Sequence, residues 1–84
     1  MALSDNLDGE WFMEGDRNRP CAIYQRGRVL LVVNEHGALG TGQTIGPTTI
    51  EITQGAGWLS GLRGEVQDNG RTLDWRNGTI WRRM

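Results

Sequence analysis

The sequence contains no lysine and very little cysteine, histidine or proline. Its nine basic residues are all arginine, and it has one cysteine, one histidine and two prolines among 84 residues. The lack of lysine excludes Schiff-base and lysine general-base chemistry. The single cysteine, Cys21, excludes an internal disulfide and a multi-cysteine zinc site, and it suits a reducing compartment. We therefore expect a cytoplasmic protein that is stabilised by its core rather than by cross-links.

Long apolar runs and basic clusters are also lacking. The longest apolar run covers five residues, 29–33, whereas a transmembrane helix needs about 20. The net charge is −1, and without a basic cluster this argues against binding to nucleic acid. The first residues have neither the positive n-region nor the apolar h-region of a secretion signal. We expect neither a membrane nor a nucleic acid as a partner.

The length suits one small domain, 1–84. Such a domain buries only about 60–65% of the surface of its unfolded chain, and 18 Leu, Ile, Val and Phe residues provide a thin core. Four tryptophans and the near-neutral charge nevertheless favour a folded chain. Loss of one large core residue is therefore expected to unfold the protein.

Short segments with strand-like patterns, separated by turns, run along the whole chain. Alternation of apolar and polar residues is typical of half-buried strands, and no segment has a helical apolar stripe ten residues long. The glycine-rich segment 38–45 is predicted to be a bent or edge-like strand, and the segment 58–66 a strand interrupted at two glycines. In all, eight strands are predicted, six at 9–14, 21–25, 29–33, 38–45, 49–53 and 58–66, and two in a C-terminal hairpin.

An Asn-Gly dipeptide between two alternating runs predicts the C-terminal hairpin. A two-residue type I′ turn would send Trp75 and Trp81 to opposite faces. A three-residue loop, 76–78, with Gly78 in the left-handed conformation as a G1 bulge, pairs Leu73 with Trp81 instead. We favour the three-residue loop, because it buries both indoles on one face.

Eight sequential strands with short connections favour an antiparallel meander. Closing the sheet removes both edges and lets the apolar face fill its own lumen. We therefore predict an all-β protein in which an eight-stranded up-and-down meander closes into a small barrel. A two-sheet β-sandwich and a barrel partly open at the strand containing 40–42 are the alternatives.

The first strand carries the motif Gly9-Glu10-Trp11, which resembles the Gly-x-Trp signature of calycins, the group of lipocalins, fatty-acid-binding proteins and avidins. In lipocalins this tryptophan sits at the closed end of the barrel, and an arginine from the end of the last strand lies across it. The matching residue here is Arg83, or Arg82 in another register. The chain departs from lipocalins because it is much shorter and lacks their other motifs and disulfide. The tail also resembles that of small bacterial domains that end in Asn-Gly-Thr-x-Trp-x-Arg, for which no function is implied.

Aromatic and arginine side chains provide the candidate ligand-binding residues. Trp75 and Trp81 face the predicted lumen, where they either line a cavity or fill it as core. Trp58 follows a Gly-Ala-Gly turn, which favours a place at the barrel mouth, with Tyr24 and Arg63 near it. The candidate ligand-binding residues are therefore Tyr24, Trp58, Arg63, Trp75 and Trp81.

No residue pattern indicates a metal site or catalytic machinery. His36 is the lone histidine and lies in a predicted turn without a second histidine or a cysteine pattern beside it. Cys21 and His36 have no third partner that would complete a nucleophile and base. We therefore expect no enzyme, no metal and no cofactor.

Two functions fit these observations. The first is a non-catalytic, lipocalin-like binding module that holds a small apolar or aromatic ligand at the open mouth. The second is a solid barrel whose outward-facing Phe12 and Tyr24 form a homodimer or partner interface. A core of this size supplies only a few kcal/mol, so we expect a homodimer. The lumen discriminates between the two functions, because a dry luminal cavity of some hundreds of cubic ångströms would favour the ligand and a filled lumen the interface.

Overall fold

A computed structural model describes residues 6–83 of the chain, and these form one closed antiparallel barrel. Each strand pairs with the next in sequence, and the first pairs with the last. The predicted eight-stranded up-and-down barrel is therefore confirmed, and neither the sandwich nor the open barrel occurs. The strands are β1 (Gly9–Met13), β2 (Pro20–Arg26), β3 (Val29–Val33), β4 (Leu39–Thr44), β5 (Thr49–Gln54), β6 (Arg63–Gln67), β7 (Thr72–Trp75) and β8 (Thr79–Arg82), with a 3₁₀ turn at Asp68–Gly70.

The C-terminal hairpin has the predicted register. Leu73 lies opposite Trp81 and Trp75 opposite Thr79. Gly78 has a φ of 92°, as the left-handed position of a G1 bulge requires. Both indoles are fully buried on the same face, so the three-residue loop is confirmed.

Strand β4 is an internal strand of the barrel, not an edge. It pairs with β3 and β5, and its bend coincides with a register shift beside Gly42. Gly40 and Gly42 are buried. A Cβ on Gly40 would lie 2.8 Å from Cδ1 of Trp58, and one on Gly42 would lie 2.6 Å from the carbonyl oxygen of Glu51. Glycine therefore occupies these positions because an indole and a neighbouring backbone approach closely there.

Strand β6 begins later than the sequence pattern predicts. The segment 58–62 belongs to a long loop between β5 and β6. In this loop Gly55, Gly57 and Gly61 have φ values of 154°, 85° and 88°, and an extended strand does not contain such values. Trp58 therefore lies on a loop that folds over the end of the barrel.

The lumen of the described barrel is filled by apolar side chains. Gly64 makes room for one of the largest of them, because a Cβ there would lie 3.1 Å from Cε3 of Trp75. Small residues opposite large ones are a common way to fill a small barrel. The core comprises Leu7, Trp11, Cys21, Ile23, Leu30, Val32, Ile50, Ile52, Leu62, Val66, Leu73, Trp75 and Trp81.

Phe12 is buried although it lies on the outward face of β1. Only 8% of its surface is exposed, and it is not part of the luminal core. It is flanked by Pro20 on β2 and Arg82 on β8, and cross-strand neighbours on one face are close enough to cover each other. The expectation that Phe12 offers an exposed aromatic surface is therefore wrong.

Trp11 and Arg83 close one end of the barrel. The guanidinium carbon of Arg83 lies 4.5 Å from the centroid of the Trp11 ring. The Trp11 indole nitrogen donates a hydrogen bond to the carbonyl oxygen of Leu7 at 2.9 Å. Nη2 of Arg83 donates to the carbonyl oxygens of Asn6 (3.0 Å) and Asp8 (3.2 Å). The arginine expected over Trp11 is therefore Arg83, and it ties the last strand to the start of the first.

We expect Arg83→Ala to lower the free energy of unfolding by about 1–2 kcal/mol, because it removes a cation–π contact and two charge-assisted hydrogen bonds. Arg82→Lys is the control, since Arg82 is exposed and a lysine keeps the aliphatic stem that lies beside Phe12, and it should change the free energy by less than about 0.5 kcal/mol. Urea unfolding of both variants measures the difference. A larger effect at Arg82 would contradict this account of the closed end.

The pairing itself is tested by combining Arg83→Ala with the mild Trp11→Phe in a double-mutant cycle. Residues in contact show a coupling of more than about 0.5 kcal/mol. Strict additivity of the two changes would mean that the ring and the guanidinium do not stabilise each other.

Candidate functional site

A cavity opens at the end of the barrel opposite Arg83. The loops that follow β1, β3, β5 and β7 meet at this end, because every second connection of an up-and-down barrel lies on the same side. The cavity has a volume of about 270 Å³. Its apolar walls are Met13, Trp58, Leu59, Leu62, Trp75 and Trp81, and its polar side chains come from Asn34, Glu35, His36, Asn77 and Thr79.

Three tryptophans form the floor of this mouth cavity. The ring centroids of Trp58 and Trp75 are 5.3 Å apart, those of Trp58 and Trp81 5.8 Å, and those of Trp75 and Trp81 5.3 Å. The interplanar angles are 59°, 72° and 77°, and tilted or edge-to-face pairs of this kind are favourable. Trp75 and Trp81 are fully buried, whereas Trp58 is half-buried. Trp58 therefore presents the indole surface that a molecule in the cavity would meet.

The Trp58 side chain is held in place from two sides. Its indole nitrogen donates a hydrogen bond to the carbonyl oxygen of Ala38 at 3.0 Å. Its ring lies directly against the backbone of Gly40 and near that of Gly55. A residue with a Cβ at either glycine would displace the ring. The tryptophan closes the lumen and at the same time forms the base of the cavity.

The β3–β4 turn provides the polar rim. Oδ1 of Asn34 accepts hydrogen bonds from the backbone N–H groups of His36 (3.0 Å) and Ala38 (2.9 Å), which fixes the turn in the manner of an Asx motif. The Glu35 side chain is only 14% exposed, and its Oε2 lies 3.9 Å from Nε2 of the largely exposed His36. The turn therefore directs a carboxylate into the wall of an aromatic cavity.

Cys21 lies in the core, and the negative charge of the Glu35 carboxylate acts on its thiol. Burial first, and the negative charge of Glu35 second, raise the pKa of the Cys21 thiol from 9.0 to about 12. The thiol donates a weak hydrogen bond to the carbonyl oxygen of Arg19, with an Sγ to oxygen distance of 3.7 Å. A protonated, buried thiol is a poor nucleophile.

The indole N–H of Trp75 is buried and has no hydrogen-bond acceptor among residues 6–83. Buried tryptophan N–H groups usually have a partner. The structure therefore contains one donor with unused capacity in a residue that lines the mouth cavity.

The structure brings together three of the five predicted ligand-binding residues and separates the other two. Trp58, Trp75 and Trp81 form the cavity floor. Tyr24 lies on the outer face of β2, beside Val29 and Leu31. Arg63 lies on the outer face of β6, where its Nε is 3.4 Å from Oε2 of Glu51. Both point away from the lumen because they alternate with inward-facing neighbours. The closeness of Arg63 to Trp58 in sequence therefore does not bring it into the cavity, and Tyr24 also lies towards the closed end of β2.

Sequence reasoning missed the polar rim. The rim side chains lie in or beside the turns that follow β3 and β7, and they are Asn34, Glu35, Asn77 and Thr79. In an up-and-down meander, the turns that follow the odd-numbered strands all lie at one end of the barrel. The position of each turn in chain order is therefore the signal that identifies these residues.

The described residues also lack two kinds of feature. None of them forms a helix long and apolar enough to cross a lipid bilayer. Between Asn6 and Arg83, no group of three His, Cys, Asp or Glu side chains could hold a metal ion.

The raised pKa of Cys21 predicts a loss of stability at alkaline pH. The folded state holds the thiol proton more tightly than the unfolded state, so this contribution to stability is complete below pH 9 and is lost as the pH rises towards 12. At pH 8 we expect a thiol reagent to modify Cys21 far more slowly in the native protein than in urea.

The contribution of Glu35 is tested by the same reaction. Glu35→Gln removes the nearby negative charge, which lowers the pKa and should speed the modification of the native protein. Glu51→Gln is the control, since Glu51 is also a half-buried carboxylate but pairs with Arg63 on the outer surface, and the rate should then be unchanged. Equal rates for the two variants would show that Glu35 does not act on the thiol.

Comparisons of the chain with protein-family models, with curated proteins and with solved structures gave no match. The closed antiparallel barrel is therefore established from the structure itself. The function has to be inferred from the geometry of the mouth and of the outer surfaces.

Proposed function

We propose that this protein is a non-catalytic binding module that takes a small apolar or aromatic ligand into the mouth cavity. The observation that carries the proposal is a cavity of about 270 Å³ whose floor is the cluster of Trp58, Trp75 and Trp81. Apolar and aromatic walls with a few polar groups are typical of ligand sites, and most have volumes of about 300–1,000 Å³. A volume near the lower limit suits a ligand of one or two rings.

A calycin-like arrangement agrees with this proposal. Trp11 and Arg83 close the end of the barrel that lies away from the cavity, which leaves the other end for a ligand. The lumen is filled, which favours an interface over a luminal ligand, so a ligand would rest on the indoles at the mouth and would not enter the barrel. This shallow site distinguishes the proposal from a deep lipocalin-like pocket.

The titratable groups near the cavity support binding without catalysis. Cys21 has a raised pKa and is buried, so it does not supply a thiolate at neutral pH. His36 is exposed, and its Nε2 lies 3.9 Å from Oε2 of Glu35. A buried, reduced cysteine also suits the cytoplasm as the compartment.

We expect indole, titrated into the protein, to shift the NMR resonances of the Trp58 and Trp75 indole N–H groups and to leave that of Trp11 unchanged. Leu59→Ser should weaken this binding several-fold, because Leu59 lines the cavity and part of its side chain would be covered by the ligand.

Leu39→Ser is the matched control for Leu59→Ser. Leu39 is also an exposed leucine, but it lies on the outer wall of β4 and not in the cavity, so indole affinity should stay the same. Shifts of equal size at Trp11, or equal losses of affinity in the two variants, would contradict the mouth site.

A second candidate function, self-association, is favoured by an apolar area on the outer wall of β2, β3 and β4. The cross-strand register aligns its members in rows, and Tyr24, Val29 and Leu39 are 49%, 61% and 55% exposed. Isolated exposed apolar residues are ordinary, whereas a contiguous group indicates an interaction surface. We name this group the outer apolar face, and it comprises Ala22, Tyr24, Val29, Leu31, Val33 and Leu39.

We propose that the outer apolar face joins two copies of the chain. A two-fold axis would place this uncharged face against its own copy, whereas the outer wall of β6 and β7 carries Arg63, Glu65 and Asp74. A stable dimer buries about 800 Å² on each partner, so the neighbouring Arg26 and Gln43 would have to form part of a polar rim.

Sedimentation at high micromolar concentration should find a dimer, and Leu39→Ser should shift it towards monomer, because a serine in the contact buries less apolar surface than a leucine. Leu59→Ser should leave the association unchanged. The same two variants thus separate the two functions, since each should impair one property only. A wild-type protein that remains monomeric would contradict the proposed dimer.

A further inference from the structure

We infer that the mouth cavity selects organic cations, of the alkylammonium type, over neutral molecules of the same shape. The inference rests on the proposed ligand-binding function and names the chemical class of ligand. Its basis is the juxtaposition of the Glu35 carboxylate and the Trp58 indole in one cavity wall.

The charge that lines the cavity is negative. Of the side chains that line it, Glu35 carries a formal charge and His36 is the other titratable group. Among residues 6–83 no arginine lines the cavity. Arginines of the outer walls face carboxylates there instead, as Arg63 faces Glu51 and Arg76 faces Asp74. A cation that entered the mouth would therefore meet an attractive potential.

The Glu35 carboxylate has little compensation from the protein. Its side chain is 14% exposed, and its polar contact is with His36, where 3.9 Å separates the nitrogen from the oxygen. That distance exceeds the length of a charge-assisted hydrogen bond, about 2.7–2.9 Å. A half-buried carboxylate with such a weak partner retains capacity for a second cation.

The tryptophan rings also attract a cation, so they reinforce the effect of the carboxylate. The face of a tryptophan ring attracts cations more strongly than any other side-chain ring, and aromatic surfaces next to a charge are the usual means of recognising quaternary ammonium groups. Trp58 is the half-buried member of the cluster, and Trp75 and Trp81 lie beneath it with centroids 5.3 and 5.8 Å away. An alkylammonium group fits this combination because its methyl groups contact the rings while its charge faces the carboxylate.

The test compares ligands that have the same shape and different charge. Choline, 3,3-dimethyl-1-butanol and 3,3-dimethylbutyrate are close isosteres that are cationic, neutral and anionic. Titrations monitored by the indole N–H resonances of the wild-type protein should give an affinity for choline about tenfold higher than for the alcohol, as expected for a partly desolvated cation–π contact beside a carboxylate. The butyrate should bind more weakly than the alcohol.

Two variants assign the selectivity to its source. Glu35→Gln removes the charge with little change of shape and should bring the affinities for choline and the alcohol within about threefold of each other, as only the cation–π contribution then remains. Glu51→Gln, on the outer wall, should retain the tenfold preference. The wild-type comparison does not depend on the folding of either variant.

The outcomes for the cation and for the proposed function can be told apart. If indole and the alcohol bind at the mouth but choline has no advantage, the cation selectivity is wrong and the binding function stands. If the full tenfold advantage of choline persists in Glu35→Gln, the assignment of the selectivity to the Glu35 carboxylate is wrong. If none of the probes shifts the resonances of Trp58 and Trp75, both proposals are overturned.

Discussion

The volume of the indoles is the constraint on which the rest of the structure depends. An eight-stranded barrel with strands of four to seven residues has a narrow lumen, and Trp11, Trp75 and Trp81 fill most of it. Glycines compensate for this bulk, since Gly64 lies against Trp75 and Gly40 against Trp58. These positions are therefore glycine because the tryptophan rings occupy the space that a side chain would need. Because the lumen is full, any ligand is confined to the mouth, where Trp58 provides the accessible aromatic surface.

The fold could be predicted from the sequence where a wrong choice would have placed a large apolar side chain in water. The register of the last hairpin is such a case, because a slip by one residue exposes Trp81. The start of β6 could not be predicted in this way. The segment 58–62 has no proline or charged residue that separates it from the strand residues that follow, and the positive φ values of Gly57 and Gly61 show that it is a loop. The burial of Phe12 was equally inaccessible, since it depends on neighbours from two other strands.

The candidate site was predicted in part for a related reason. The aromatic floor follows from the hairpin and from the turn before Trp58, so composition and local pattern were sufficient. Whether a side chain reaches the mouth cavity depends on its parity and on its position along the strand. Parity placed Tyr24 and Arg63 on the outer wall, and Tyr24 also lies towards the closed end of β2. The importance of Glu35 arises from long-range packing, because the β3–β4 turn has to fold beside the β5–β6 loop before the carboxylate becomes half-buried.

The seam between β1 and β8 has a further consequence for how the protein folds. The other strand pairs join neighbours in sequence, whereas this seam joins Phe12 to Arg82 and Met13 to Trp81, and its register covers only these two pairs. The sequential hairpins can form from local contacts. The seam instead closes a loop that spans nearly the whole chain, and the conformational entropy of that loop is lost in one step. We therefore expect the meander to assemble first and the barrel to close last. In the native state the same seam is the thinnest part of the wall, and it is where local opening and amide hydrogen exchange should begin.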